Sequence, residues 1–166
     1  MAIEFLLEDG TGLAAATSYA SVAGFEQYFE NKGTSFTQAD AVIQAWLNDA
    51  TEYADNNYRW GGSKFSITQA LKVPRSDWAD CEGTDISESV PTELAKGIYE
   101  LAYARKGASS INVGAKTDNT IVSKSIGGLS VSYKGGVSTL GSLSYTNADK
   151  WFSCLGMQPV GRVYRA

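Results

Sequence analysis

The chain has 166 residues, of which 43% are hydrophobic and 19% charged, and its formal net charge is −4. This length and composition are typical of one globular domain with a sizeable core. Histidine is absent, which excludes Ser-His-Asp and Cys-His catalysis and every histidine-ligated metal site.

No apolar run approaches the ~20 residues that a membrane span needs. Residues 3–7 lack the basic lead of a signal peptide, so we expect the protein to stay in the compartment where it is made and to have no membrane partner. Cys81 and Cys154 are far apart and show no metal-ligand spacing. We therefore expect two buried free thiols.

Charge is divided unevenly along the chain. Residues 1–90 carry fourteen acidic and five basic side chains, a balance of −9, and residues 91–166 carry four acidic and nine basic ones, a balance of +5. The two halves can complement each other within one molecule, or between neighbouring copies packed head to tail in a ring. The sequence favours neither arrangement.

The first part of the chain predicts an extended segment followed by two helices. Residues 1–20 are expected to be extended, with a turn at residues 9–12. Ser21 is a suitable N-cap for a helix that runs to about Lys32. A second helix is predicted to be capped by Thr37, and its apolar residues from Ala39 to Ala54 recur with a clear helical period.

Residues 57–89 are predicted to form a long irregular connection, with one helical turn at residues 69–71. Between Tyr58 and Phe65 aromatic and basic side chains alternate, a combination that single-stranded nucleic-acid grooves use. The acidic first half would repel a polyanion, so we favour the interpretation that these aromatic residues anchor the loop. The carboxylates of residues 77–88 are interpreted as a solvated acidic loop, because their spacing does not match a calcium loop.

The second part predicts a central helix, a hairpin and a short last helix. Pro91 suits the first position of a helix that runs to Lys106 and is apolar around most of its circumference. Residues 121–133 predict a β-hairpin turning at residues 127–128, with one apolar face. Its other face carries hydroxyl groups and suggests packing on a neighbouring subunit: Ser123, Ser125, Ser130 and Ser132.

The C-terminal residues 156–166 contain Pro, Gly, apolar and basic residues but no acidic ones. They predict an extended arm that docks on a partner, or else a strap over the chain's own core. The expected fold class is therefore mainly α: a small bundle of three main helices and a short C-terminal helix, with one hairpin. Residues 1–155 would form a single domain, and residues 156–166 the arm.

Four motifs occur in a characteristic order: Glu8-Asp9-Gly10-Thr11-Gly12, Tyr58-Arg59-Trp60-Gly61, Gln69-Ala70-Leu71 before Pro74-Arg75, and Lys124-Ser125-Ile126-Gly127-Gly128-Leu129-Ser130-Val131-Ser132-Tyr133. Over roughly residues 6–155 they resemble the small head–tail connectors, or neck adaptors, of tailed bacteriophages. Similar sequences are also described as DnaT-like single-strand DNA-binding proteins. One departure is Val73, where the resemblance leads us to expect Trp.

The resemblance implies a structural virion protein without catalysis, catalytic residues, cofactor or metal. It would form a ring, twelve-fold in such families, beneath the portal in the neck after synthesis in the host cytoplasm. The portal protein, a downstream neck or tail protein and the genomic DNA in the channel would be its partners. The expected portal contacts are Trp151, Phe152, Arg162, Val163, Tyr164 and Arg165.

The alternative function is single-strand DNA binding in replication. Its expected contacts are Arg59, Trp60, Lys64 and Phe65, because aromatic rings stack on bases while cations follow the phosphates. An enzyme that uses carboxylates alone is not expected, since no base, nucleophile or cofactor motif is present.

Overall fold

The computed structural model describes residues 5–106, 123–126, 129–132 and 146–159. The chain divides into two compact units, residues 1–113 with 145–166, and residues 114–144. The first unit contains helices α1 (Val22–Glu30), α2 (Asp40–Asn57), α3 (Thr92–Arg105) and α4 (Thr146–Cys154). It also contains the short strands β1 (Tyr58–Arg59), β2 (Ser63–Lys64), β3 (Arg75–Ser76) and β6 (Gln158–Pro159). The mainly α fold class is thereby confirmed.

The second unit contains the predicted hairpin, with strands β4 (Ser123–Ile126) and β5 (Leu129–Ser132). The antiparallel register pairs Ser123 with Ser132 and Ser125 with Ser130. The hairpin predicted to turn at residues 127–128 is thereby confirmed, and the two residues between its strands are the number that a primed turn requires.

The core of the first unit forms where α3 packs against α1, α2 and α4. The prediction that the third helix is central is confirmed, with Leu94, Ile98, Leu101 and Ala102 fully buried. Gly97 allows α4 to approach closely, because a Cβ at this position would overlap the Phe152 ring. Among the described residues no helix is both long and apolar enough to cross a membrane.

The helix starts agree with the sequence in one case and differ in two. Ser21 caps α1, where its Oγ accepts a hydrogen bond of 3.1 Å from the Gly24 N–H. Thr37 does not cap α2: the extended residue Ala39 precedes the helix without a side-chain cap, and Asp40 in the first turn faces the positive helix end. Pro91 is the N-cap of α3 rather than its first residue.

Two further predictions are wrong: the helical turn in the long connection and the free thiols of the two cysteines. No helical turn forms at residues 69–71, because the buried Gln69 amide bonds the surrounding backbone instead. Cys81 and Cys154 are joined by a disulfide and are not free thiols. Spacing gave no indication of this pair, since 73 residues separate its members.

The first residues of the predicted arm belong to the fold. Met157 is buried in the core, and β6 pairs antiparallel with β1 so that Tyr58 lies opposite Pro159. Residues 157–159 therefore follow the second of the two predictions for this segment, a strap over the chain's own core. Residues 160–166 lie outside the described residues.

Candidate nucleic-acid interface

A groove of about 500 Å³ opens where the end of α2 meets β1 and the β2–β3 pair. Four of its seven lining side chains are cationic, none is acidic, and one is a tryptophan. The lining residues are Asn56, Tyr58, Arg59, Trp60, Lys64, Lys72 and Arg75. The groove is therefore locally positive, although residues 1–90 as a whole carry a charge balance of −9.

Arg75 holds the two sides of the groove together. Its guanidinium donates hydrogen bonds to the carbonyl oxygens of Gly61, Gly62 (2.8 Å) and Lys72 (3.0 Å). Gly62 has a φ of +59°, and a Cβ there would overlap the Ser76 carbonyl oxygen. Partial burial lowers the pKa of Arg75 from its ordinary value, although arginine remains protonated under ordinary conditions.

A buried polar network supports the Lys72 backbone from below. The Lys72 N–H donates to Tyr19 Oη at 2.9 Å and to Asp55 Oδ2 at 3.1 Å. The Tyr19 hydroxyl in turn donates to Asp55 Oδ1 at 2.7 Å. Burial raises the pKa of Asp55, although hydrogen bonds from Tyr19 and the Lys72 N–H and the charges of Lys72 and Lys64 lower it. Burial together with Asp55 raises the pKa of Tyr19. The Lys72 ammonium is near the α2 end, where it donates to the Asp55 carbonyl oxygen.

The two exposed cations of the groove make few contacts with the protein. Among the described residues no salt bridge involves Arg59 or Lys64. Lys64 Nζ makes one long hydrogen bond of 3.4 Å, to the Gln69 carbonyl oxygen. Both side chains are therefore available to an anionic ligand.

Trp60 packs against two other rings, tilted relative to Tyr19 and edge-on to Trp78. Its ring centroid lies 5.9 Å from that of Tyr19 and 6.1 Å from that of Trp78. Trp60 is partly exposed in the groove, whereas Trp78 is buried and donates from Nε1 to the Leu155 carbonyl oxygen at 2.9 Å. Part of the Trp60 indole is therefore accessible in the groove, while the rest packs against the core.

The structure brings together three of the four residues predicted for DNA contact, Arg59, Trp60 and Lys64. Phe65 follows Lys64, is 41% exposed, and lies outside the groove lining. The sequence prediction missed Lys72 and Arg75, which reach the groove because β3 pairs with β2. The sequence did contain an indication of their role, because these two basic residues flank Val73-Pro74 in an otherwise acidic region.

The residues predicted to bind a portal are not brought together among the described residues. Phe152 is fully buried and packs against Tyr58, with ring centroids 4.8 Å apart, so it is a core residue and not a surface contact. Trp151 lines a separate depression of about 360 Å³ with Tyr28, Lys32, Glu100, Asn147 and Lys150. The other four predicted contacts, Arg162, Val163, Tyr164 and Arg165, lie outside the described residues.

The serines proposed for a subunit interface are paired across the hairpin, Ser123 with Ser132 and Ser125 with Ser130. No contact with another copy tests their assignment, so it stays a prediction. The ring, the portal and the virion neck likewise stay predictions.

The acidic loop uses its carboxylates to satisfy its own backbone. Asp80 Oδ1 accepts from the N–H groups of Glu82 and Thr84, at 2.9 and 2.8 Å, and Asp85 Oδ1 accepts from the Ser87 N–H at 2.9 Å. Within the described ranges no group of three or more acidic or cysteine side chains is placed to hold a metal ion.

A family model described as "Putative DnaT-like ssDNA binding protein" matches residues 3–165. No curated protein and no solved structure matches the chain significantly. This description agrees with the resemblance to DnaT-like single-strand DNA-binding proteins. It gives no support to the resemblance to head–tail connectors. Because the match spans nearly the whole chain, the protein belongs to the family of DnaT-like proteins that bears this description.

Proposed function

We propose that this protein binds single-stranded DNA in the groove between β1 and the β2–β3 pair. The observation that carries the proposal is the lining itself: four cations and one tryptophan share a groove that no acidic side chain lines. The family description points to the same class of ligand.

Each type of side chain has a distinct task in the proposed complex. Arg59 and Lys64 contact phosphates, since they are exposed and free of salt bridges to described residues. Trp60 stacks on a base, and the half-exposed Phe65 stacks on a base at the groove edge. Stacking of this kind is worth about 1–3 kcal/mol per base and tolerates any sequence.

Arg75 and Lys72 shape the groove and add positive potential. Their cationic groups already donate to backbone carbonyl oxygens, so they contribute less to direct phosphate contacts than Arg59 and Lys64. Two to four neutralised phosphates give a slope of log K against log salt of about −1.4 to −2.8 for a single strand. The overall charge of −4 repels the strand, and this repulsion is least screened at low salt.

Fluorescence anisotropy of a labelled oligothymidine at several salt concentrations tests the proposal. The double variant Arg59→Glu with Lys64→Glu reverses both exposed groove charges, and we expect it to weaken binding at least tenfold at low salt. Lys106→Glu with Lys150→Glu makes the same charge change at exposed positions outside the groove and is expected to weaken binding less than threefold.

Two results would contradict the proposal. The first is an absence of binding by the unaltered protein at low salt. The second is an equal loss of affinity in the groove variant and the control variant, which would mean that overall charge, and not the groove, attracts the strand. Circular dichroism of both variants establishes that they remain folded.

A further inference from the structure

The loop between β2 and β3 presents one apolar side chain almost entirely to solvent. Ile67 is 98% exposed, whereas the other exposed large apolar side chains of the described residues are between 38% and 43% exposed. A side chain held in this way is a candidate for contact with a ligand.

The backbone around Ile67 is firmly fixed. The buried Gln69 side chain accepts from the Ser66 N–H at 2.7 Å and donates to the carbonyl oxygens of Leu71 (2.8 Å) and Pro74 (3.0 Å). Ser66 Oγ and Thr68 Oγ1 are hydrogen-bonded at 2.9 Å on either side of Ile67. The Ala70 N–H donates to the Leu13 carbonyl oxygen at 3.0 Å. The protein thus presents Ile67 on a hydrogen-bonded tip.

This tip, residues 65–68, borders the cationic groove. Lys64 immediately precedes it and lines the groove, and Lys72 and Arg75 follow it on the return to β3. Phe65, at the start of the tip, is itself 41% exposed. An apolar tip flanked by cations suits a ligand that has both negative charge and flat apolar surface, and nucleic acid has both.

We infer that the tip stacks Ile67 against the last base pair of a duplex at the point where one strand leaves it and enters the groove. The inference rests on the proposed function and narrows its ligand to a junction of single-stranded and double-stranded DNA. Ile67 has no side-chain donor or acceptor, so it cannot read base edges, but apolar side chains of this size do stack against base steps and open them. The single strand occupies the groove while the tip contacts the end of the duplex.

The test compares two DNA probes with the same ten-nucleotide single strand, one free and one joined to a twelve-base-pair duplex. The duplex carries 2-aminopurine in its terminal pair to report stacking. We expect the full chain to bind the joined probe about fivefold more tightly and to change the 2-aminopurine emission. Ile67→Ser should abolish both effects and leave the affinity for the free strand within twofold. Val42→Ser, on the exposed face of α2 at 43% exposure, is the matched control and should retain both effects.

The outcomes separate this inference from the proposed function. Binding of the free strand without preference for the junction, or an equal preference in Ile67→Ser, would overturn the inference alone. Failure to bind either probe would overturn both. If sedimentation shows that Ile67→Ser dissociates a dimer in the absence of DNA, the tip is a contact between copies, and the inference is likewise overturned.

Discussion

Tyr19 and Asp55 meet beneath the groove, where the Tyr19 hydroxyl donates a 2.7 Å hydrogen bond to Asp55 Oδ1. The same hydroxyl accepts from the backbone N–H groups of Lys72 and Val73, at 2.9 and 3.0 Å. One oxygen therefore joins the lead-in segment, α2 and the chain that enters β3. The shape of the groove depends on this pair, although neither residue lines it.

The first prediction concerns Tyr19→Phe. Loss of the hydroxyl leaves the Val73 N–H without its acceptor and removes the hydrogen bond from Tyr19 to Asp55 Oδ1. We therefore expect the free energy of unfolding to fall by about 1–3 kcal/mol. Urea denaturation measures the change. Tyr103→Phe is the control, since Tyr103 is 41% exposed, and it should alter stability by no more than about 0.5 kcal/mol. Equal stability of the two variants would contradict the role assigned to Tyr19.

The second prediction concerns the pH dependence contributed by Asp55. Burial raises its pKa in the folded state above the ordinary value of 3.8, so the folded protein binds a proton that the unfolded chain has already released. The stabilising contribution of Asp55 is therefore fully present below pH 3.8 and is lost as the pH rises through its folded pKa.

Carboxyl NMR titration should accordingly give a midpoint above 3.8 for Asp55. The stability of the unaltered protein relative to Asp55→Asn should increase as the pH is lowered through that midpoint to 3.8. Asp85 provides a comparison of opposite sign, because hydrogen bonds from Ser87 lower its pKa. Midpoints below 3.8 for both residues would refute the effect of burial on Asp55.

The third prediction concerns the disulfide between Cys81 and Cys154. A cross-link that closes a loop of this size, with 73 residues separating the cysteines, stabilises a protein by about 2–4 kcal/mol. We expect a reducing agent to lower the urea midpoint of the unaltered protein. The double variant Cys81→Ser with Cys154→Ser should unfold at that lower midpoint with or without the reductant. Alkylation of two free thiols in the folded, unreduced protein would show that the bond does not form.

The fourth prediction concerns the contact between α3 and α4. Alanine is usually better than glycine within a helix by about 1 kcal/mol, yet a Cβ on Gly97 would overlap the Phe152 ring. We expect Gly97→Ala to be destabilising by about 1–3 kcal/mol, and thermal unfolding measures the loss. Adding Phe152→Leu should cost less in the Gly97→Ala protein than in the unaltered one, because it relieves the overlap. Additive effects would exclude this steric explanation.

The sequence predicted the features that local patterns determine. Ser21 was recognisable as a cap because its hydroxyl needs only the N–H of Gly24, three residues away. The hairpin register followed from two glycines between strands of alternating character. Thr37 was a misleading cap, because the chain remains extended to Ala39 before α2 begins.

The missed features depend on contacts between distant residues. Gln69 looked helical beside Ala70 and Leu71, but its buried amide bonds the backbone across the loop to Pro74. Three of the seven groove residues, Arg59, Trp60 and Lys64, were predicted because they are close together in sequence. Lys72 and Arg75 were missed because only the pairing of β2 with β3 brings them to the same place.

The C-terminal segment from Phe152 to Pro159 has a consequence for how the protein folds. It supplies Phe152, Leu155 and Met157 to the core, and its contacts include the disulfide and the hydrogen bond from Trp78 to Leu155, which join residues 73 and 77 positions apart. Contacts between such distant residues form slowly, because a long loop must close first. While the ribosome is still making this segment, the core remains incomplete. The native state is therefore reached only after about residue 159 has left the ribosome. Until then the earlier helices lack the part of the core that Phe152, Leu155 and Met157 supply.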